Sequence, residues 1–126
     1  GDVEEHLKVY FKCFSITANC DEISYFGAVL ANKGICPRTG EQIIEAHKVK
    51  VLRSLMATCG MYDASGEFAL KVGIPSKSGV GGGIIAIMPK YYIVSVWSPK
   101  LNLKGNSYRG MKFLEEFTTA TEDSIF

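Results

Sequence analysis

An α/β (α+β) architecture, an antiparallel sheet flanked by helices, follows from three features of the chain. Through the first sixty positions apolar residues recur at three- and four-residue steps, the period of helices that each bury one face. From Ile84 to Trp97 the sequence becomes rich in Ile, Val, Tyr and Trp, broken at Pro89-Lys90, which is the composition of two strands and a tight connection. After Asn106-Ser107 the helical period returns.

Each element has its own signal. Val3, Leu7, Tyr10, Phe11 and Phe14 fall on one face of a first helix expected from Val3 to about Thr17. Asn19 followed by Glu22 has capping-box spacing, and Ile23, Phe26, Val29 and Leu30 continue a second helix until Gly34 offers a stop. Pro37 and Gly40 mark a turn, after which Ala46, Val49, Leu52, Leu55 and Met56 define a third helix ending at Cys59-Gly60. The glycine-rich stretch Lys77 to Gly83 leads into Ile84–Met88, and Tyr91–Trp97 returns antiparallel to it. Asn106 or Ser107 caps a last helix whose buried side carries Gly110, Met111, Leu114 and Phe117. Two or three strands under one helix leave open sheet edges, so a partner chain or a further stretch of polypeptide is expected to complete the sheet.

Composition bounds the function. The chain has 126 residues, 47% apolar and 21% charged, with 14 Lys+Arg against 13 Asp+Glu for a net charge of +1. That suffices for one domain with a real core and is too short for two ordinary ones. A nearly neutral chain without a basic run disfavours nucleic acid and anionic membranes as partners. Its most apolar stretch, Gly79 to Pro89, contains four glycines and falls short of the roughly 20 residues of a membrane span. The acidic N-terminus lacks the positive head and apolar centre of a signal peptide, as a processed or truncated chain also would, so the start is uninformative. Cys13, Cys20, Cys36 and Cys59 form no C-x-x-C pair, and reduced thiols inside a cell are expected. His6 and His47 offer no zinc-ligand spacing with these cysteines, so neither a metal nor a cofactor is expected.

Two segments could carry chemistry. Lys77-Ser78-Gly79-Val80-Gly81-Gly82-Gly83 lets backbone approach a ligand and aim amide N–H groups at an anion; the bland alternative is a bulged strand or tight turn. Its glycines precede a strand, so it is no dinucleotide fingerprint, and no phosphate-loop pattern occurs. Lys-Ser-Gly does match the K-[ST]-G box of β-lactamases and penicillin-binding proteins. The second segment is Gly60-Met61-Tyr62-Asp63-Ala64-Ser65-Gly66, a turn after a helix holding a phenol suited to proton transfer or substrate donation, or else a half-buried surface tyrosine. Tyr10 falls on an apolar face, where a core role is the default. Cys59 as a nucleophile lacks an identifiable base.

Taken together, Leu7-Lys8-Val9-Tyr10-Phe11, Cys36-Pro37-Arg38-Thr39-Gly40-Glu41, Cys59-Gly60-Met61-Tyr62-Asp63, Pro75 to Ile84, and Trp97-Ser98-Pro99 with Gly105-Asn106-Ser107 resemble, in this order, the serine-dependent glutaminases. The likeness runs along nearly the whole chain but corresponds to the C-terminal part, less than half, of a complete member. It implies a β-lactamase/transpeptidase-like fold that is incomplete in this chain. Residues 1–70 would be part of a helical subdomain and 71–126 the C-terminal sheet-and-helix part of the α/β subdomain. It also implies hydrolysis of L-glutamine to L-glutamate and ammonia through a serine acyl-enzyme, with the serine in an S-x-x-K motif. No serine of this chain has a lysine three positions later, so the nucleophile is expected upstream and the fragment alone is expected to be inactive.

By the same likeness Tyr62 matches a proton-relay tyrosine, Tyr10 a substrate-contacting tyrosine, and Val80 the residue whose backbone N–H forms half of an oxyanion hole. Lys77, Ser78, Gly79 and Gly81 surround these, and such a backbone donor is worth roughly 3 kcal/mol of barrier. The implied partners are glutamine and glutamate, the upstream half of the same polypeptide and further copies in a homo-oligomer, in the cytoplasm, or in mitochondria if the source is eukaryotic. The family often has a glycine in the hairpin turn where this chain has Lys90. A reading of another class keeps the scaffold as a non-catalytic binding or assembly module, with the glycine-rich strand as its docking edge.

Overall fold

The computed structural model describes residues 1–126. Helix α1 spans Val3–Phe14, with the Asp2 side chain accepting from the Glu4 amide, and none of its residues is buried. The expected apolar stripe is therefore present but uncovered, from Leu7 at 44% exposed to Phe14 at 73%. Caps and periodicity form the helix locally, whereas burial needs an opposing surface that this chain does not bring against it.

Helix α2, Cys20–Ala31, begins with the expected capping box: the Asn19 side chain accepts from the Glu22 amide and the Glu22 carboxylate accepts from the Asn19 amide. Helix α3 spans Ala46–Cys59, as its periodicity required. Beyond it the chain makes a 3-10 turn, Tyr62–Ala64, and then a helix absent from the sequence reading, α4, Ser65–Lys71. Ala64, Phe68 and Val72, from its N-cap to its C-cap, are buried at four-residue steps, and at seven residues the helix is too short to stand out by its period alone.

Three strands follow, β1 (Ser76–Ser78), β2 (Gly83–Met88) and β3 (Tyr92–Trp97), in the order β1-β2-β3, all antiparallel. The hairpin expected at Pro89-Lys90 is the β2–β3 connection. Strand β1 is an addition to the two strands read from the sequence; three residues of polar Ser-Lys-Ser have no strand signature of their own, and pairing with β2 makes them one. Helix α5, Tyr108–Thr121, starts at Ser107, whose side chain accepts from the Gly110 amide.

Strand β2 sorts its side chains by parity. Ile84, Ala86 and Met88 join a core with Met61, Phe68 and Leu114, so this face lies under α4 and α5. Ile87 and partly buried Ile85 join Leu30, Ala31 and Val49 beneath α2 and α3. Both faces are thus covered by helices, rather than one face by one helix. Each fully buried Ile or Leu here contributes about 2–3 kcal/mol of apolar burial. No helix is long and apolar enough to cross a membrane.

Candidate functional site

The end of β1 and the turn after α3 meet because Gly60 has no side chain. A Cβ there would lie 1.7 Å from the Ser76 carbonyl oxygen, so only glycine lets the two backbones touch. The Ser78 amide then donates to the Gly60 carbonyl at 3.1 Å. This approach brings together the two segments that the sequence singled out.

On one side of the junction stands Tyr62, with φ +52°. Its backbone is held by Ser65, whose hydroxyl accepts from the Met61 amide at 3.0 Å and donates to the Tyr62 carbonyl at 2.8 Å. Its ring is held by Lys77, whose Nζ lies 4.6 Å from the ring centroid. The same Nζ donates to the Ser78 carbonyl. Tyr62 itself remains 45% exposed, so the phenol is anchored and accessible at once.

On the other side lies the glycine-rich turn. The Gly79 amide donates to the Gly83 carbonyl and the Gly82 amide to the Gly79 carbonyl, both at 3.0 Å. Trp97 Nε1 donates to the Gly81 carbonyl and the Ser98 amide to the Gly82 carbonyl, both at 2.9 Å. Gly82 is the glycine the turn requires, because its φ is +95° and a Cβ would meet the Ser98 carbonyl oxygen at 2.7 Å. At Gly79 and Gly81 a Cβ would meet nothing within 4 Å. The Val80 and Gly81 amides donate to no group of the chain, and Val80 is 71% exposed. The turn therefore carries two adjacent N–H donors available to an anion or a carbonyl oxygen.

Of the residues named from sequence, Tyr62, Lys77 and Ser78 meet at this junction, and the Gly79–Val80–Gly81 turn follows Ser78 directly along the chain. Tyr10 makes its ring contacts on its own helix, stacked on Phe14 at 4.3 Å and edge-on to Phe11 at 6.1 Å. Cys59 donates to the Leu55 carbonyl at 3.1 Å, an ordinary helix-end contact. No group of three or more His, Cys, Asp or Glu side chains comes together as metal ligands. Asn106 entered the sequence reading as a helix cap, and Ser107 takes that place. Asn106 is instead fully buried against Ser78 and Met61, and no local pattern in the sequence signals it. Also unanticipated is a polar cluster between α2 and the connection that follows it. There Tyr25 Oη lies 3.0 Å from Cys36 Sγ and Arg38 stacks on the Tyr25 ring at 4.8 Å. Hydrogen bonds from Thr39 and then Tyr25 lower the Cys36 thiol to about 7, and the Cys36 bond raises the Tyr25 phenol.

A three-stranded antiparallel sheet between helices, with a glycine-rich turn between β1 and β2 and a tyrosine held against Lys77, places the chain in a class of mixed α/β proteins already represented by solved structures. A probable glutaminase from Bacillus subtilis complexed with 6-diazo-5-oxo-L-norleucine superposes with a TM-score of 0.95 at 38% identity, covering 100% of this chain and 44% of that one. A Bacillus subtilis glutaminase in covalent complex with 5-oxo-L-norleucine, formed by reaction with 6-diazo-5-oxo-L-norleucine, superposes equally well at 38% identity, over 100% of this chain and 45% of that one. A glutaminase from Aliarcobacter butzleri (strain RM4018) is 54% identical over 126 residues, which are 100% of this chain and 41% of the relative. The glutaminase family profile matches residues 1–126, and the chain belongs to the glutaminase family. It spans less than half the length of these relatives.

Proposed function

We propose that this chain is the C-terminal part of a glutaminase, which hydrolyses L-glutamine to L-glutamate and ammonia when an upstream segment supplies the nucleophile. The observation that supports this reading is the junction of the exposed Tyr62 turn with β1, through Lys77 over the Tyr62 ring and the Ser78 to Gly60 bond, next to a glycine-rich turn whose Val80 and Gly81 amides are unbonded, in a chain of the glutaminase family. Hydrolysis of the side-chain amide of glutamine builds negative charge on its carbonyl oxygen, which a rigid backbone donor stabilises by roughly 3 kcal/mol. Val80 acts here through its main chain and Tyr62 as the group that passes a proton to or from the nucleophile. Lys77 keeps the Tyr62 ring in place and adds positive potential. Tyr10 contacts substrate from α1 once the uncovered stripe of that helix is packed.

The nucleophile is a serine in an S-x-x-K motif, acylated and then hydrolysed. A related Bacillus subtilis glutaminase forms a covalent complex with 5-oxo-L-norleucine, which supports a nucleophile in the site. The scaffold is then β-lactamase-like, its helical part contributed by residues 1–70 and its sheet part by 71–126. The two parts share a core, because Val49 and Ile87 lie in one cluster. The enzyme works in the cytoplasm, or in mitochondria of a eukaryote, as a homo-oligomer.

The purified 126-residue chain is expected to release no ammonia from glutamine, and the same chain combined with an upstream glutaminase segment to release it. Turnover by the chain alone would remove the upstream nucleophile from the mechanism. A combined, folded assembly that releases no ammonia would sink the glutaminase reading and leave the binding module.

A further inference from the structure

We infer that Asn106 is a positioning residue that couples the Tyr62 turn to the glycine-rich turn, so that the phenol and the backbone donors hold one fixed spacing. The inference rests, for its catalytic consequence, on the glutaminase reading; the coupling itself is a matter of geometry. Asn106 is fully buried. Its Nδ2 donates to the Met61 carbonyl at 3.1 Å, and its Oδ1 accepts from Ser78 Oγ at 2.5 Å.

The direction of this relay is forced. A carbonyl oxygen can only accept, so the amide nitrogen must face Met61. The amide oxygen then faces Ser78, and the Ser78 hydroxyl must be the donor. Its proton is thereby committed inward and the hydroxyl, 3% exposed with its residue, is withdrawn from the reacting centre. Met61 immediately precedes the strained Tyr62, and Ser78 stands two residues before Val80, so one planar side chain gauges both at once. Asn106 is itself fixed: its amide donates to Asn102 Oδ1 at 3.1 Å and its carbonyl accepts from the Asn102 amide at 2.7 Å. The Ser78 to Gly60 backbone bond runs beside the relay, so the side chain of Asn106 adds a second link between the same two segments.

The discriminating variant is Asn106→Asp, which keeps the acceptor for Ser78 but turns a second oxygen toward the Met61 carbonyl. In the isolated chain, the amide resonances of Tyr62, Val80 and Gly81 are expected to move together in this variant. Ser78→Ala, which deletes only the other end of the relay, is expected to move the Tyr62 resonance as well as those of Val80 and Gly81. Where Asn106→Asp does not fold, Ser78→Ala decides. A shift confined to one turn, or no shift in either, overturns the coupling. In the chain combined with an upstream segment, Asn106→Asp is expected to lower kcat by about tenfold with KM changed less than about threefold, since a spacing held for the transition state is lost. An equal loss through KM alone overturns the positioning role. If the unsubstituted assembly releases no ammonia, the glutaminase reading fails, and the resonances still decide the coupling.

Discussion

The Lys77 ammonium lies 4.6 Å from the centre of the Tyr62 ring, and the Tyr62 backbone has φ +52°. A left-handed backbone costs a tyrosine about 1–2 kcal/mol. The two hydrogen bonds of the Ser65 hydroxyl, one accepted from the Met61 amide and one donated to the Tyr62 carbonyl, at about 1 kcal/mol each, and a cation–π contact of about 0.5–1 kcal/mol outweigh that cost. The conformation persists because its surroundings over-determine it, and the aim of the phenol is set by a fixed backbone together with the cation over its ring.

Removing only the phenol oxygen tests what that aim is for. Tyr62→Phe keeps the ring over Lys77 and the Ser65 bonds to the main chain. In the chain combined with an upstream segment, ammonia release is expected to fall by about 100-fold or more, while the melting temperature stays where it was. Full activity in Tyr62→Phe would take the proton-transfer role away from this residue.

Two glycines of the site should behave oppositely. Gly60→Ala drives a methyl against the Ser76 carbonyl and is expected to destabilise the chain by about 3 kcal/mol or more. Gly79→Ala meets open space and is expected to change stability by less than about 0.5 kcal/mol. Urea denaturation of both variants checks the pair. Equal losses would contradict the close approach of β1 to the end of α3.

The hairpin turn offers a gain. Lys90 has φ +74° on an exposed turn, and its amide donates to the Ala31 carbonyl at 3.2 Å. Lys90→Gly retains that donor and removes the side-chain strain, for an expected net gain of up to about 1 kcal/mol after glycine's greater unfolded entropy is charged against it. Thermal denaturation decides, and a clear loss of stability would place the strain elsewhere.

The C-terminal end of α5 predicts a pH dependence. Tyr92 donates to Asp123 Oδ2 at 2.6 Å; burial first and this bond second push the phenol up to about 12, while the bond lowers the Asp123 carboxyl. A phenol whose pKa is higher folded than unfolded contributes its full stabilisation below pH 10. Between pH 10 and about 12 the unfolded chain ionises first, so that contribution is lost as pH rises. The melting temperature of the unsubstituted chain should fall toward that of Tyr92→Phe across this window. Parallel curves for the two proteins would show that the phenol does not contribute in this way.

Much of the molecule was legible without coordinates. The capping box of α2, the periodicity of α3, the β-rich run on either side of Pro89-Lys90 and the Ser107 end of α5 are written in residues a few positions apart, and local hydrogen bonds and side-chain period are enough to enforce them. The ordered motifs that place the chain among the glutaminases are likewise a property of the sequence. What folding alone decided depends on groups that are distant along the chain. Strand β1 exists because β2 pairs with it, and α4 because Phe68 and Val72 find a core. The first helix keeps its stripe uncovered because nothing in these residues packs on it. The partners of Asn106 lie 28 and 45 positions away, and no pattern of spacing encodes such a meeting. Their juxtaposition arises only when burial forces every polar atom of that side chain to find a partner.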